Sequence, residues 1–574
     1  MTTTAKLVLA LVLLALGLRL ASIGHGLPRR YVPDHHMIKR SLVMASERDL
    51  APPISAEMSY PYLVPYLLLP TYAAEYALGK VAGRWENPQE FQREVTLDPA
   101  LLHIPARAWM ALFGALTAWA VYRAARAAGL ERGALAAGYF SATCLLNLQL
   151  STHERPWAAT IFFGALASWA AIVHAREGKR GTLLASGAAV GLSFACHPSG
   201  LVFAALPALA WACAPNAWSG AELRTRLGRG LACAALFALV AFVCGHLYYV
   251  HGRPGGEQVI GGGAHANTLA IGGQAIRTDI SLTGAPRLLK VFFGYDPALV
   301  LLGVVGLALL WRERAARVAV LGCALLAGLA LVNPSDHVRY LLPAAMLLAL
   351  GAGALFERLW LARAWRPALV LALALPLVQA LRFDWVLRQV DTRYQAELAL
   401  ATLPPGSVVA IDNYGPQVDL DARALERLAK LRPLYAREEL RRAYFEAKAE
   451  PPTGSGIDAI QCEDLFGIDP ATLEYGVTRS DAVRTLGATP RDVLATLGVT
   501  HLMLAERRSG SESRPLAGLV AGRAPLVSFD PSAESLDPCA EAFLPTEMDF
   551  PLTALWLVSH PGPRLELYEL WNPR

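Results

Sequence analysis

Charge is what this chain has least of. Only 17% of its 574 residues are Asp, Glu, Lys or Arg, against 54% hydrophobic, which is not the balance of an ordinary soluble globule. The formal net charge of +5 is mild. No basic stripe with interleaved aromatics runs through the sequence, so nucleic acid is set aside as a partner. No CxxC or HExxH spacing marks a metal site, and no GxxxxGK[ST] loop marks a nucleotide phosphate site. Cysteine is scarce as well. Of the eight, Cys144, Cys196, Cys213, Cys233, Cys244 and Cys323 lie inside apolar runs, where they read as small core hydrophobes. Cys462 and Cys539 lie outside them. If that part of the chain is extracytoplasmic, these two are either a disulfide pair or two separate thiols.

Long apolar runs, by contrast, are plentiful. They fall at about 5–24, 106–122, 133–151, 156–174, 181–196, 199–214, 230–250, 296–311, 316–332, 340–357 and 366–382. A bilayer core takes about 20 apolar residues per helix, so the pattern predicts a polytopic α-helical membrane protein with about eleven spans. The first run follows Lys6 and continues through Arg19 to Ile23 without a small-x-small cleavage site, which makes it a retained span rather than a removed signal.

Arginine placement sets the topology. Between the runs lie "YRAARAAGLERG", "HAREGKRG", "AWSGAELRTRLGRG", "WRERAARV" and "ERLWLARAWR". Short Lys/Arg-rich loops stay cytoplasmic, so all five belong on one side. That parity requires residues 60–80, "YPYLVPYLLLPTYAAEYALGK", not to cross. Their prolines, tyrosines and Glu75 suit a helix lying in the interface. The N-terminus is then cytoplasmic and the C-terminal part extracytoplasmic, in a multi-pass protein of the plasma (inner) membrane.

With this topology the polar groups collect outside: Asp34, His35 and His36 with Lys39 and Arg40, "THERPW" at 152–157, "CHPSG" at 196–200, and "NPSDHVRY" at 333–340. Ionisable residues gathered at span ends mark a functional site by default, although any one of them also suits a helix cap in the headgroup zone. The glycine-rich stretch 251–286 is either a lid over such a site or a plain connector.

Beyond about residue 390 the pattern changes. "SVVAID" (407–412) and "THLMLAE" (500–506) read as strands, "ARALERLAKL" (422–431) and "PRDVLATLG" (490–498) as helices, and "ALWLVSH" with "RLELYEL" as a closing strand pair. This predicts a small α/β domain with no catalytic constellation of its own. The expected division is 1–385 for the membrane domain and 386–574 for the soluble one.

"VPDHH" just after the first span, "SYPYLVPYLLLP" following it, "ERP" at the outer end of the third span and "RYLLPAAMLLALGA" opening the tenth together resemble the GT-C class of polytopic glycosyltransferases. The specific resemblance, over roughly residues 5–382, is to glycosyltransferase family 39, the group of protein O-mannosyltransferases and lipid A aminoarabinose transferases. It implies a catalytic acid in the first outer loop and a polyprenyl monophosphate sugar as donor. Two positions depart from the family's pattern. Asp34-His35 stands where the family often has Asp-Glu, and Arg155-Pro156-Trp157 where it often has Arg-Pro-Asp. Either Glu154 compensates, or the partner role has changed.

On this resemblance Asp34 is the candidate general base and Glu154 its candidate companion. A placed base is worth roughly 10²–10⁴-fold. Asp34 also suits an N-cap of the helix after it, and the two roles are compatible. The leaving phosphate needs fixed cations. Arg339 leads, because a guanidinium grips phosphate bidentately; Arg155 and Lys39 follow, then His197 and His337. His35, His36 and Tyr60 complete the expected pocket. No cofactor is required, and a divalent metal held by Asp34, His35 and His36 is the less favoured arrangement. The acceptor is a protein, a lipid or an envelope glycan. Two other classes compete: a sugar or lipid transporter or flippase, which would place charges at the midplane and carry inverted repeats, and an inactive scaffold of the same fold.

Overall fold

The computed structural model describes residues 2–29, 31, 36–50, 61–215, 220–245, 268–271, 274–277, 281–332, 338–412, 414–431, 456–468, 475–478, 481–505, 514–532 and 552–570. Asp34, His35, Tyr60, His337, Cys539 and most of the glycine-rich stretch lie outside the described residues.

Helices stand at every apolar run. In chain order they are α1 (Thr3–Leu20), α2 (His36–Glu47), α3 (Leu63–Val81), α4 (Pro88–Leu97), α5 (Ala100–Ala127), α6 (Gly133–Thr143), α7 (Leu145–Ser151), α8 (Trp157–Glu177), α9 (Arg180–Cys196), α10 (Ala205–Cys213), α11 (Gly220–Gly245), α12 (Ala285–Tyr295), α13 (Pro297–Leu310), α14 (Arg317–Val332), α15 (Leu342–Trp360) and α16 (Arg366–Leu387). Among the described residues six helices are long and apolar enough to cross a bilayer, or seven when α12 and α13, bent by 107°, count as one broken span. α3 is not among them. It carries Glu75 and Lys80 and is tied by Trp109 Nε1 to Thr71 Oγ1 (3.0 Å) and by Tyr72 Oη to the Leu102 carbonyl (3.0 Å), against the start of α5.

Two runs fold differently from single straight spans. The run 133–151 breaks at Cys144 into α6 and α7, because the buried Asp296 carboxylate accepts the Leu145 amide at 2.9 Å and the Cys144 thiol at 3.3 Å. Those atoms would otherwise be orphaned by the break. The run 199–214 opens as a 3₁₀ turn, Pro198–Ala204, before α10.

Of the six candidate spans α15 is the most enclosed, with α13, α6 and α14 around it. Small residues permit this. A Cβ on Gly306 of α13 would stand 1.7 Å from the Gly351 carbonyl oxygen of α15, and one on Gly353 would stand 2.3 Å from the Gly133 carbonyl oxygen of α6. Where lipid removes the hydrophobic drive between helices, such close backbone approach is what holds them. Facing outward are Leu7, Leu9 and Leu13 of α1 and Leu231, Leu239 and Val243 of α11.

The arginine clusters meet at one end. Arg123 lies over Trp169, its guanidinium carbon 4.4 Å from the ring centre, and Arg176 donates to the Ala127 carbonyl. Glu357 accepts the amides of Glu131 and Gly133, joining the end of α15 to the start of α6.

After α17 (Thr392–Leu400) the chain forms a mixed sheet. Its strands are β3 (Val409–Ile411), β4 (Ala459–Gln461), β7 (His501–Ala505), β8 (Val527–Phe529) and β9 (Leu565–Glu569), in the order β4-β3-β7-β9-β8. β3 is parallel to both β4 and β7, and β9 runs antiparallel to β7 and β8. Two strand pairs lie apart from it: β1 (Thr268–Ile271) with β2 (Gln274–Arg277), and β5 (Phe466–Ile468) with β6 (Tyr475–Thr478). α18 (Ala422–Leu431) and the helix Pro490–Thr496, closed by a Thr489–Asp492 capping box, stand where the sequence predicts them. One prediction is overturned. "ALWLVSH" begins as the helix Leu552–Leu557, not a strand. Its Leu555 and Val558 join the same buried cluster as Phe383 of α16 and Phe292 of α12, and Arg382 donates to their carbonyls at 3.3 and 2.7 Å. That contact docks the sheet unit on the helical unit.

Candidate functional site

The polar side chains at the other end of the helices form a connected group. α5 opens "ALLHIPARAWM", and His103 and Arg107, one helical turn apart, project to the same face. Between them they occupy both oxygens of Glu154. His103 Nδ1 bonds Oε1, and Arg107 Nε donates to Oε2 at 2.9 Å. All three side chains are buried. Arg107 Nη1 reaches further, to the carbonyls of Ile23 (2.8 Å) and His25 (2.7 Å) in the turn after α1. His25 stands edge-on to His153 at 5.4 Å, and His25 Nε2 has no hydrogen-bond partner among the described residues.

Beneath this, Arg19 of α1 is wholly buried. It donates to Ser151 Oγ (2.8 Å) and to the carbonyls of Ala15 (2.8 Å) and Ala142 (3.1 Å). Gly114 makes the room, since a Cβ there would lie 2.4 Å from Arg19 Nε. Ser22 Oγ donates to Asp384 Oδ1 at 2.9 Å.

The short stretch from His153 to Trp157 links this group to a second one. Trp157 opens α8 and packs tilted, its ring centre 4.5 Å away, against His197, which caps the end of α9. His197 Nδ1 is held by Ser199, whose amide donates to it at 3.1 Å. Across Trp157 sits Arg339, with its guanidinium carbon 5.6 Å from the ring centre, and Tyr340 closes against the same ring at 5.7 Å. Arg339 belongs to the 3₁₀ turn Val338–Leu341 that leads into α15. Arg155, between the two groups, is buried.

The structure therefore brings Glu154, Arg155, His197 and Arg339 to one end. Lys39 and His36 are on α2, whose Met37 and Ile38 pack with Leu102 and Ala106 of α5. The neighbouring Arg40 is buried with its guanidinium 4.5 Å from the Tyr62 ring centre. His103, Arg107, His25, Arg19 and Asp384 are the members that sequence reading missed. For Arg19 and Arg107 the signal was available, as ionisable residues inside apolar runs; His25, His103 and Asp384 stand just beyond the ends of such runs. Among the described residues no three His, Cys, Asp or Glu side chains converge as a metal ion requires.

Chemically, both carboxylate oxygens of Glu154 are engaged, by His103 and by Arg107. Any proton that Glu154 accepted would have to displace one of these two partners. The second group presents a guanidinium and an imidazole around an aromatic ring, a surface suited to an anion carried by an apolar molecule.

No family model and no curated protein matches the chain. Solved structures do. ArnT from Cupriavidus metallidurans in the apo state aligns at 17% identity over 78% of this chain and 75% of that chain, with a TM-score of 0.42. The same protein bound to undecaprenyl phosphate aligns over the same shares at 17% identity and a TM-score of 0.39. The oligosaccharyltransferase AglB from Archaeoglobus fulgidus, in complex with an inhibitory peptide and a dolichol-phosphate, aligns at 14% identity over 87% of this chain and 69% of that chain, with a TM-score of 0.41. The chain is similar, at low identity, to ArnT and to AglB.

Proposed function

We propose that the chain is an integral-membrane glycosyltransferase that moves a sugar from a polyprenyl-phosphate-linked donor to a protein, lipid or envelope-glycan acceptor at the outer face of the bilayer. In this reading residues 1–385 form the catalytic membrane domain, with about eleven spans and a cytoplasmic N-terminus. Residues 386–574 form an extracytoplasmic domain. The observation that carries it is the meeting of Arg339, His197 and Trp157 with the Arg107–Glu154–His103 group at the end of the helices opposite the arginine clusters. Anion-binding groups at that end suit a lipid phosphate arriving from the leaflet.

The acceptor hydroxyl gives its proton to Asp34 as its oxygen attacks the anomeric carbon. The bond from that carbon to the phosphate oxygen breaks on the opposite side, inverting the configuration. Arg339, with Arg155 and Lys39, takes up the charge left on the phosphate, an interaction worth most where water is excluded. Arginine and lysine meet the needs of a monophosphate leaving group without a divalent ion.

The test is direct. Purified protein in liposomes is given synthetic polyprenyl-phosphate glycosides and a panel of acceptors, and product is followed by mass. Asp34→Asn should lower transfer by about 10²–10⁴-fold with an unchanged unfolding temperature. Undiminished transfer would remove Asp34 from the reaction.

A further inference from the structure

Residues 21–29 are turns after α1, and their main chain and that of Tyr31 are claimed on both sides. From the helical unit, Arg388 Nε donates to the Ala21 carbonyl at 2.9 Å, and Arg107 holds the carbonyls of Ile23 and His25. From the other side, among the described residues, the tethers come from Arg393, Glu397 and Asp419. Arg393 Nη1 donates to the Tyr31 carbonyl at 2.9 Å, and its guanidinium carbon lies 4.2 Å from the Tyr31 ring centre. Arg29 pairs with Glu397, Nε to Oε2 at 3.1 Å, and with both oxygens of Asp419 at 3.2 and 3.1 Å. Burial opposes the Arg29 charge, but the bonds from Asp419 and Glu397 outweigh it and hold the guanidinium above its ordinary pKa.

These tethers are themselves aimed. Asp391 grips Arg393 bidentately at 2.8 and 2.7 Å and accepts its amide, so that one carboxylate caps α17 and orients the guanidinium. Arg393 is 1% exposed, and a buried guanidinium fixed by a fork of two bonds has little freedom left. Thr392 in turn donates its amide to Pro561 (3.0 Å) and its hydroxyl to Pro563 (2.7 Å), just before β9. Hydrogen bonds therefore run unbroken from the residues before β9 to the main chain of Tyr31.

We propose that Arg393 and Glu397 are positioning residues for glycosyl transfer: the sheet unit uses them to set Arg29 and Tyr31, from which the chain runs on to Asp34. This rests on the reading of the preceding section. It gives the C-terminal unit a role although its sequence reads as carrying no catalytic constellation. A general base must be placed to within a fraction of an ångström, and a displacement of about 1 Å costs roughly 10²-fold in rate. A role limited to fastening two domains would leave the rate untouched once the fold is intact.

The experiment uses the full chain in liposomes. Arg393→Lys keeps the charge but cannot grip Asp391 with a fork while reaching the Tyr31 carbonyl. Glu397→Lys turns the Arg29 pair into a repulsion. The reversed pair, Arg29→Glu with Glu397→Arg, restores it in part, because Asp419 still faces position 29. Hydrogen exchange is read at amides 29–31 against those of β7 and α15, with undecaprenyl phosphate binding and transfer kinetics alongside. The expected result is exchange at 29–31 at least about tenfold faster in Arg393→Lys and Glu397→Lys, with β7 and α15 unmoved. kcat should fall about tenfold or more, the KM for the lipid donor and undecaprenyl phosphate binding should stay within about twofold, and the reversed pair should regain rate. Unchanged exchange at 29–31, a wild-type kcat despite faster exchange, or a reversed pair no better than Glu397→Lys would each overturn the inference. A wild-type chain that transfers no sugar overturns the reading beneath it and this inference with it, whereas normal transfer by Glu397→Lys overturns this inference alone.

Discussion

Arg107 and Glu154, 47 positions apart, are joined Nε to Oε2 at 2.9 Å in a site that is buried on every side. The other arm of the same guanidinium carries the carbonyls of Ile23 and His25. One side chain thus unites α5, the turn before α8 and the turn after α1. Breaking a buried pair leaves an uncompensated charge and is destabilising by about 3–5 kcal/mol. Arg107→Ala and Glu154→Gln should both lower the unfolding temperature in detergent. Arg107→Lys should lower it nearly as much, since one ammonium cannot serve three acceptors spread along a guanidinium fork. Recovery of wild-type stability by Arg107→Lys would show that charge alone matters there.

Arg339 tests the anion-binding half of the site. A hydrogen bond to a charged group contributes about 1.5–3 kcal/mol, which corresponds to roughly 10–150-fold in affinity. Arg339→Ala should weaken undecaprenyl phosphate binding, measured by titration, within that range. Arg339→Lys should fall between, having the charge without the planar fork. Full-strength binding by Arg339→Ala would move the phosphate away from Trp157.

The apolar runs were legible because a bilayer imposes length and composition on a local stretch of chain, and helices stand at all of them. What broke the pattern came from far away in sequence. The kink between α6 and α7 depends on Asp296 accepting from Leu145, and nothing near residue 144 announces it. "ALWLVSH" reads as a strand but begins as a helix, its apolar residues packing with α16 and α12. At the site, the gathering of Glu154, His197 and Arg339 at one end follows from span parity, which a sequence carries. That Glu154 has both oxygens taken by His103 and Arg107 is a matter of side-chain geometry, and no spacing rule gives it.

Gly306 and Gly351 test whether small residues set the core of the helical unit. A methyl group on Gly306 has no room beside the Gly351 carbonyl, and the atom in the way is backbone. Gly306→Ala must push α13 off α15, and overpacking of this kind is destabilising by about 1–3 kcal/mol. Gly294, which has open space around its Cβ position, is the control. Its substitution by alanine should leave the unfolding temperature in detergent within error, while Gly306→Ala lowers it.

The orientation of the whole assembly can be decided by labelling. Glu131 lies in the turn between α5 and α6 and Arg312 between α13 and α14, both exposed and both at the end where the arginine clusters meet. Ala521, exposed in the sheet unit, lies beyond the last long apolar helix. Short basic loops resist translocation, so Glu131→Cys and Arg312→Cys should react with a membrane-impermeant maleimide only after cells are opened. Ala521→Cys should react in intact cells. The buried native thiols Cys144, Cys196, Cys233 and Cys323 should contribute little background. Labelling in the reverse order would place Arg339 and the lipid phosphate it is proposed to hold on the cytoplasmic face. Transfer at the outer surface would then be ruled out whatever Asp34 does.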